Sequence, residues 1–318
     1  MTDNKVIVIS EREPGLPYSK GLRATELMVT GLPPYRAYQV AEVVEERLLA
    51  AGTRSVTKAE LDQLTIDVLT DLAGDRYATN FSRWNDVAQL EVPLVILIGG
   101  ATGVGKSTIA TQLAARLGIV RVVATDAVRE VMRAMVTSKL MPTLYTSSFD
   151  ADSALREPPP LPADKVIVGF REQTAAVAVG IQALIKRAVV EGHSAVIEGA
   201  HVVPGFFDTS PYDGKILAVP VVVTVEDEDL HRSHFVARST DSSARPFERY
   251  LEGFENIRRV QKYIKSQALA HGVPTIPNYS LDQALGAVID LAVEGATQAL
   301  RHEARPRRSQ AGTEAIAR

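Results

Sequence analysis

The chain has 318 residues, with 35 lysines and arginines against 38 aspartates and glutamates, 46% hydrophobic and 23% charged residues. This composition can bury a real core and excludes wholesale disorder or a collagen-like fibre, while a formal charge of −3 argues against broad electrostatic capture of nucleic acid or anionic lipid. The absence of cysteine excludes disulfides, thiolate zinc sites, iron–sulfur clusters and cysteine nucleophiles.

Residues 1–90 read as a small, mainly helical unit. The apolar stretch at 6–9 is a strand candidate, too short for a signal peptide, and Pro14-Gly15 marks a turn. Ser19 can cap a helix over about 20–30, halted by Gly31 and Pro33-Pro34. The next helix aligns Ala37, Ala41, Val44 and Leu48 on one face and ends at Gly52. A third opens with the capping box Thr57-x-x-Glu60, followed by the stripe Leu61, Leu64, Val68 and Leu72.

From residue 91 the pattern becomes strand, loop, helix. Residues 94–98 form a continuous apolar strand running into a glycine-rich turn, then a helix with Ile109, Leu113 and Leu117 that closes at Gly118. A second strand, 120–124, ends at Thr125-Asp126 and feeds a helix expected to turn Val128, Val131, Met132 and Met135 inward. Residues 140–163 are polar and proline-rich, hence a loop or insertion. A long helix over about 164–191 ends at Gly192, and strands follow at 195–197, 217–225 and 273–276, with helices between and after. Apolar strands separated by helices imply a mostly parallel five-stranded sheet covered on both faces, an α/β fold. Pro220 is a misfit inside the fourth strand, which calls for a bulge or a later strand start. The polar stretch 301–318 is expected to be a frayed tail. The longest apolar runs, 94–98 and 216–225, fall short of the ~18–20 residues of a membrane span, so the expectation is a soluble, cytoplasmic protein that binds no membrane.

The chemistry centres on Gly100-Ala101-Thr102-Gly103-Val104-Gly105-Lys106-Ser107, which with Thr108 opens the helix after the first parallel strand. It fits G-x-x-x-x-G-K-[ST], whose glycines let successive amides turn around phosphate oxygens while the helix adds its positive end. Lys106 supplies a mobile charge to the β- and γ-phosphates, and Ser107 a hydroxyl ligand for magnesium. A dinucleotide fingerprint, Gly103-x-Gly105 with Asp126 as the ribose partner, lacks its third small residue where Thr108 stands.

Asp126, at the carboxyl end of the second strand, can accept the proton of an attacking hydroxyl or hold magnesium; the plainer alternative is a helix cap. Arg129 and Arg133, one turn apart, suit an anionic acceptor, the alternative being a solvated face paired with Glu130. Glu198, after the third strand, is the expected carboxylate partner of magnesium. His201 either orients substrate or is structural. His231-x-x-His234 lacks a third ligand, which disfavours zinc. The stretch 231–249 carries Arg232, Arg238, Arg245 and Arg249, and a flap closing through Arg238 and Arg245 would stabilise charge on the transferred group and exclude water. Arg258, Arg259, Lys262 and Lys265 read as a solvated helix face.

Taken with these residues, the chain resembles the 2-phosphoglycerate kinase family of P-loop kinases. The resemblance rests on Gly99-Gly-Ala-Thr-Gly-Val-Gly-Lys-Ser-Thr108, Thr125-Asp-Ala-Val-Arg-Glu-Val-Met-Arg133 and Glu198-Gly-Ala-His-Val-Val-Pro-Gly205. It continues through His231-Arg-x-x-Phe-x-x-Arg238, Arg245-Pro-x-Glu-Arg-Tyr-Leu251 and Ile257-Arg-x-Val-Gln261. It implies a P-loop NTPase-like three-layer kinase domain at 91–300, preceded at 1–90 by an ATP-cone-like domain. The implied reaction moves the γ-phosphoryl group of ATP, with Mg2+, to the 3-hydroxyl of 2-phosphoglycerate, giving 2,3-bisphosphoglycerate and ADP. Two departures stand out: Glu11-Arg-Glu-Pro-Gly-Leu16 replaces the basic hairpin of nucleotide-binding ATP-cones, and His234 stands where the flap is expected to carry another arginine. The rival readings are a P-loop kinase for another small acid or polyol phosphate, and a nucleotide-dependent regulatory switch without a small acceptor. Self-association is left open.

Overall fold

The computed structural model describes residues 7–10, 15–88, 92–241 and 247–303. At its N-terminal end β1 (Val8–Ile9) pairs antiparallel with β2 (Leu16–Pro17) and, across α1 (Lys20–Leu27) and α2 (Pro34–Ala50), parallel with β3 (Ser55–Val56). β2 and β3, two residues each, are too short to leave a periodic signal. Ser19 caps α1 by accepting from the Leu22 amide, and the helix tightens into a 3-10 turn, Met28–Thr30, before Gly31. α3 (Lys58–Leu72) starts with the expected reciprocal Thr57–Glu60 capping box. A further helix, α4 (Asp75–Ala88), escaped the sequence reading because it is largely polar, yet it seats Ala78 and Phe81 in the same small core as Leu27, Val44 and Leu69.

β4 (Leu94–Gly99) begins the parallel sheet and leads through the glycine-rich turn into α5 (Lys106–Arg116). β5 (Val122–Ala124), α6 (Thr125–Met135), α7 (Lys165–Glu191), β6 (Ala195–Gly199) and β7 (Leu217–Thr224) follow. Then come α8 (Glu228–Asp241), α9 (Phe247–Glu252), α10 (Phe254–Ala270), β8 (Thr275–Pro277) and α11 (Leu281–Glu303). The strand order is β5-β6-β4-β7-β8, with every pairing parallel. Side chains of β4 alternate between two cores. Leu94, Ile96 and Ile98 pack with residues of α5, α10 and α11, whereas Val95 and Leu97 pack with Val177, Ile181 and Ile185 of α7. The sheet is therefore covered on both faces, which is why its strands are apolar throughout.

Pro220 lies within β7 without a bulge. Leu217 N–H donates to Pro93 O on the β4 side and Val222 N–H to Pro274 O on the β8 side. Alternation puts the Pro220 nitrogen on the β8 side as well, but β8 pairs only with residues from Val222 onward, so the proline forfeits no ladder bond. On α6 the inward face is Val128 and Met132, while Val131 and Met135 are exposed, contrary to the sequence expectation. α7 is long and apolar enough to span a bilayer by length and composition, but Phe170, Val177, Ile181 and Ile185 are buried in the protein's own core.

Candidate active site

The loop between β4 and α5 owes its shape to contacts made from outside it. Gly103 has φ 86° and lies so close to Phe235 of α8 that a Cβ would sit 2.4 Å from the ring. Four successive carbonyls of the loop each accept from a side chain. Lys106 Nζ donates to Ala101 O (2.7 Å), His231 Nε2 to Thr102 O (2.8 Å), His234 Nδ1 to Gly103 O (2.9 Å) and Asn278 Nδ2 to Val104 O (2.9 Å). With these carbonyls engaged by side chains, the loop amides are free to serve an anion in the bowl at the N-terminal end of α5. His231 is buried, and burial pushes its pKa down to about 4, so the ring is neutral and its Nδ1 faces Arg258 at 3.4 Å.

These partners give two histidines a role that their spacing does not show, and they revise the reading of one arginine. Among the described residues no cluster of three or more His, Cys, Asp or Glu could hold a metal, and His231 and His234 serve the phosphate loop instead. Arg258 is not on a solvated face: it donates to Val225 O (2.6 Å) and Glu226 O (2.8 Å) beneath the loop. Lys265, by contrast, pairs at the surface with Glu226.

Beside the bowl, β6 lies between β4 and β5, and the register pairs Glu198 with Ile98 on one side and Ala124 on the other. Glu198 is thereby held where Ser107 Oγ can donate to it at 2.9 Å. A hydroxyl and a carboxylate meeting beside the lysine are hard oxygen donors of the kind magnesium takes, with phosphate oxygens and water completing the shell. Gly199, with φ 152°, yields the space above β6 to Thr125, whose Oγ1 would lie 1.7 Å from an added Cβ.

Lys106, Ser107, Asp126, Arg129 and Glu198 line one cavity of about 560 Å³. α6 begins at Thr125 with Ala124 at its N-cap position and no capping side chain, so Asp126 is not a helix cap; its carboxylate is exposed and 3.5 Å from the Arg129 guanidinium. Arg129 also donates to Thr146 O, tying α6 to the proline-rich segment, whose Ser147, Ser148 and Phe149 form a wall of the cavity.

Other predicted residues lie elsewhere. Arg133 does not line the cavity: it pairs with Glu130 at 2.7 Å and lies 4.8 Å over the Tyr145 ring. His201 is fully buried beneath α6, bonded on both ring nitrogens, to Thr125 Oγ1 (3.1 Å) and Gln173 Oε1 (2.8 Å), so it cannot contact a substrate in the cavity. Arg238 lies on α8, its side chain outside the described residues, as is the whole of Arg245. Arg249, named in the sequence only as part of a basic stretch, also lines the cavity and is 3.3 Å from Asp150. Its neighbour Tyr250 anchors α9 by stacking on Phe235 (4.9 Å between centroids, 7° between planes), the ring that also packs on Gly103. An arginine beside a core aromatic was the signal available for it.

No family model matches the chain. Full-length relatives do. A protein of Methanothermobacter thermautotrophicus named 2-phosphoglycerate kinase is 40% identical over 281 residues, covering 86% of this chain and 89% of that one. Proteins of the same name from Methanopyrus kandleri and Thermococcus kodakarensis are each 37% identical, covering 89% of this chain and 86% and 95% of theirs. A match over 86% of the chain is longer than residues 91–300, so the likeness extends into the N-terminal unit.

Proposed function

The chain belongs to the 2-phosphoglycerate kinase family, and from that premise we propose that it transfers the γ-phosphoryl group of ATP to the 3-hydroxyl of 2-phosphoglycerate, releasing 2,3-bisphosphoglycerate and ADP. In this reading the amides of residues 100–108 and Lys106 hold the triphosphate. Ser107 and Glu198 would hold magnesium, which when bound neutralises charge on the phosphates. Asp126 receives the proton of the 3-hydroxyl as its oxygen attacks the γ-phosphorus and the bond to the β–γ bridging oxygen breaks, and it then returns that proton to solvent. Arg129 and Arg249, from α6 and α9, grip the carboxylate and phosphate of the acceptor bidentately. Arg238 and Arg245 close over the transfer and keep water out.

The single observation that carries this reading is that a phosphate loop, an uncapped carboxylate and two guanidiniums from different elements line one cavity. The test is ADP release measured with 2-phosphoglycerate and with a panel of other phosphorylated acids and polyol phosphates. Release that depends on 2-phosphoglycerate supports the reading. A different preferred acceptor corrects the substrate, and release indifferent to every acceptor overturns the kinase assignment.

A further inference from the structure

Gln173 is a fully buried amide of α7, one turn from the buried Phe170 and Val177. An amide left unpaired there would be strongly destabilising, so its partners matter. All of its bonding groups are used. Oε1 accepts from His201 Nε2 (2.8 Å), and Nε2 donates to Thr143 O and to Thr146 O (3.1 Å to the latter). With the His201 proton committed to the amide oxygen, Nδ1 is left to accept, and Thr125 Oγ1 donates to it at 3.1 Å. Burial pushes the His201 pKa down to about 4, which keeps the ring in the neutral form this chain requires.

The two branches from this amide end on the two acceptor-side groups of α6. Through His201 it fixes Thr125, the residue before Asp126, and through Thr146 O it fixes the carbonyl to which the Arg129 guanidinium donates. The nucleotide side is held by a different set of partners, His231, His234 and Asn278. We propose that Gln173 and His201 are positioning residues for the acceptor: without touching it, they set the placement of Asp126 and Arg129 and leave the phosphate loop alone. This inference rests on the reading that the α6 side of the cavity takes the phosphorylated acceptor.

The test compares wild type with Gln173→Glu, which keeps an acceptor for His201 but loses both donors to the 143 and 146 carbonyls. Its companion is His201→Asn, which can still reach Thr125 but not Gln173. In each variant the KM for 2-phosphoglycerate should rise at least tenfold, while the KM for ATP and the calorimetric affinity for an ATP analogue stay within about twofold. Normal nucleotide binding certifies the fold, so a variant that binds the analogue but shows an unchanged acceptor KM, or equal rises in both KM values, overturns the proposal. Should both variants fail to bind the analogue, the separation of the two halves is wrong and the proposal falls with it. Wild-type turnover with 2-phosphoglycerate is the separate control on the functional reading; if another acceptor is preferred, the same split is measured with that compound.

Discussion

Lys106 sits in the bowl with its ammonium against Ala101 O, a position from which it can reach phosphate oxygens without remaking the loop. Lys106→Ala should lower kcat by at least ~10²-fold, by analogy with removal of one preorganised electrostatic group, while the thermal midpoint moves by only a few degrees. Steady-state kinetics beside a melting curve check both halves of that statement. His231 carries a pH signature. Its pKa is depressed from 6.5 to about 4, chiefly by burial, with Arg258, His234 and Lys106 adding to the effect and its bond to Thr102 opposing it. The unfolded chain therefore binds the extra proton first as pH falls. Stability is complete above about pH 6.5 and declines toward pH 4, by on the order of 3 kcal/mol from this group. His231→Gln keeps a donor for Thr102 but cannot titrate, so urea midpoints measured across that range should show a shallower slope than wild type. At this scale the sequence marked Lys106, Ser107, Asp126 and Glu198, which line one cavity, because local spacing next to strand ends is enough to bring them there. It did not disclose His231, His234 or Asn278, whose partners lie 129, 131 and 174 residues away. For Arg133 spacing offered both an acceptor contact and a pair with Glu130; the pair is the one found, with the Tyr145 ring, from a segment without regular periodicity, beside it.

Among the elements, β7 accommodates a proline at no cost to its ladder because β8 is short and begins late. Pro220→Ala is expected to lower stability by only ~0.4–1 kcal/mol, through the greater freedom of the unfolded chain, with no change in activity. Loss of several kcal/mol in denaturant unfolding would show that the ring is itself a packing element. α8 and α9 meet the phosphate loop through one ring: Phe235 stacks on Tyr250 and lies against Gly103. Phe235→Ala should cost ~3–5 kcal/mol as a buried aromatic truncation and raise the KM for ATP, because the loop and α9 lose their common wedge. Strands and long helices were legible from the sequence, since apolar runs and caps such as Thr57, Asp164 and Gly192 mark them. α4 was not, because most of its surface is polar and only a few ring and methyl groups face inward.

In the molecule as a whole, the two cores are not independent. Val29, from the short turn after α1, is buried with the residues of the parallel-sheet core, and Trp84 of α4 packs against the same cluster. Trp84 is the single tryptophan of the chain, so its fluorescence reports this seam directly. Unfolding followed by that fluorescence and by far-ultraviolet circular dichroism should give coincident transitions; separated midpoints would mean that the N-terminal unit melts by itself. The assembly of the cavity from residues far apart in the chain explains why composition and motif spacing indicate a phosphate-binding α/β protein but stop short of the acceptor's walls. The seam also has a practical consequence. Scissioning the polypeptide near residue 90 would leave a socket on one piece where Val29 had been and a bare indole on the other. Neither half would then be a faithful miniature of the parent, and fragments produced apart should clump or recombine before they behave as soluble modules.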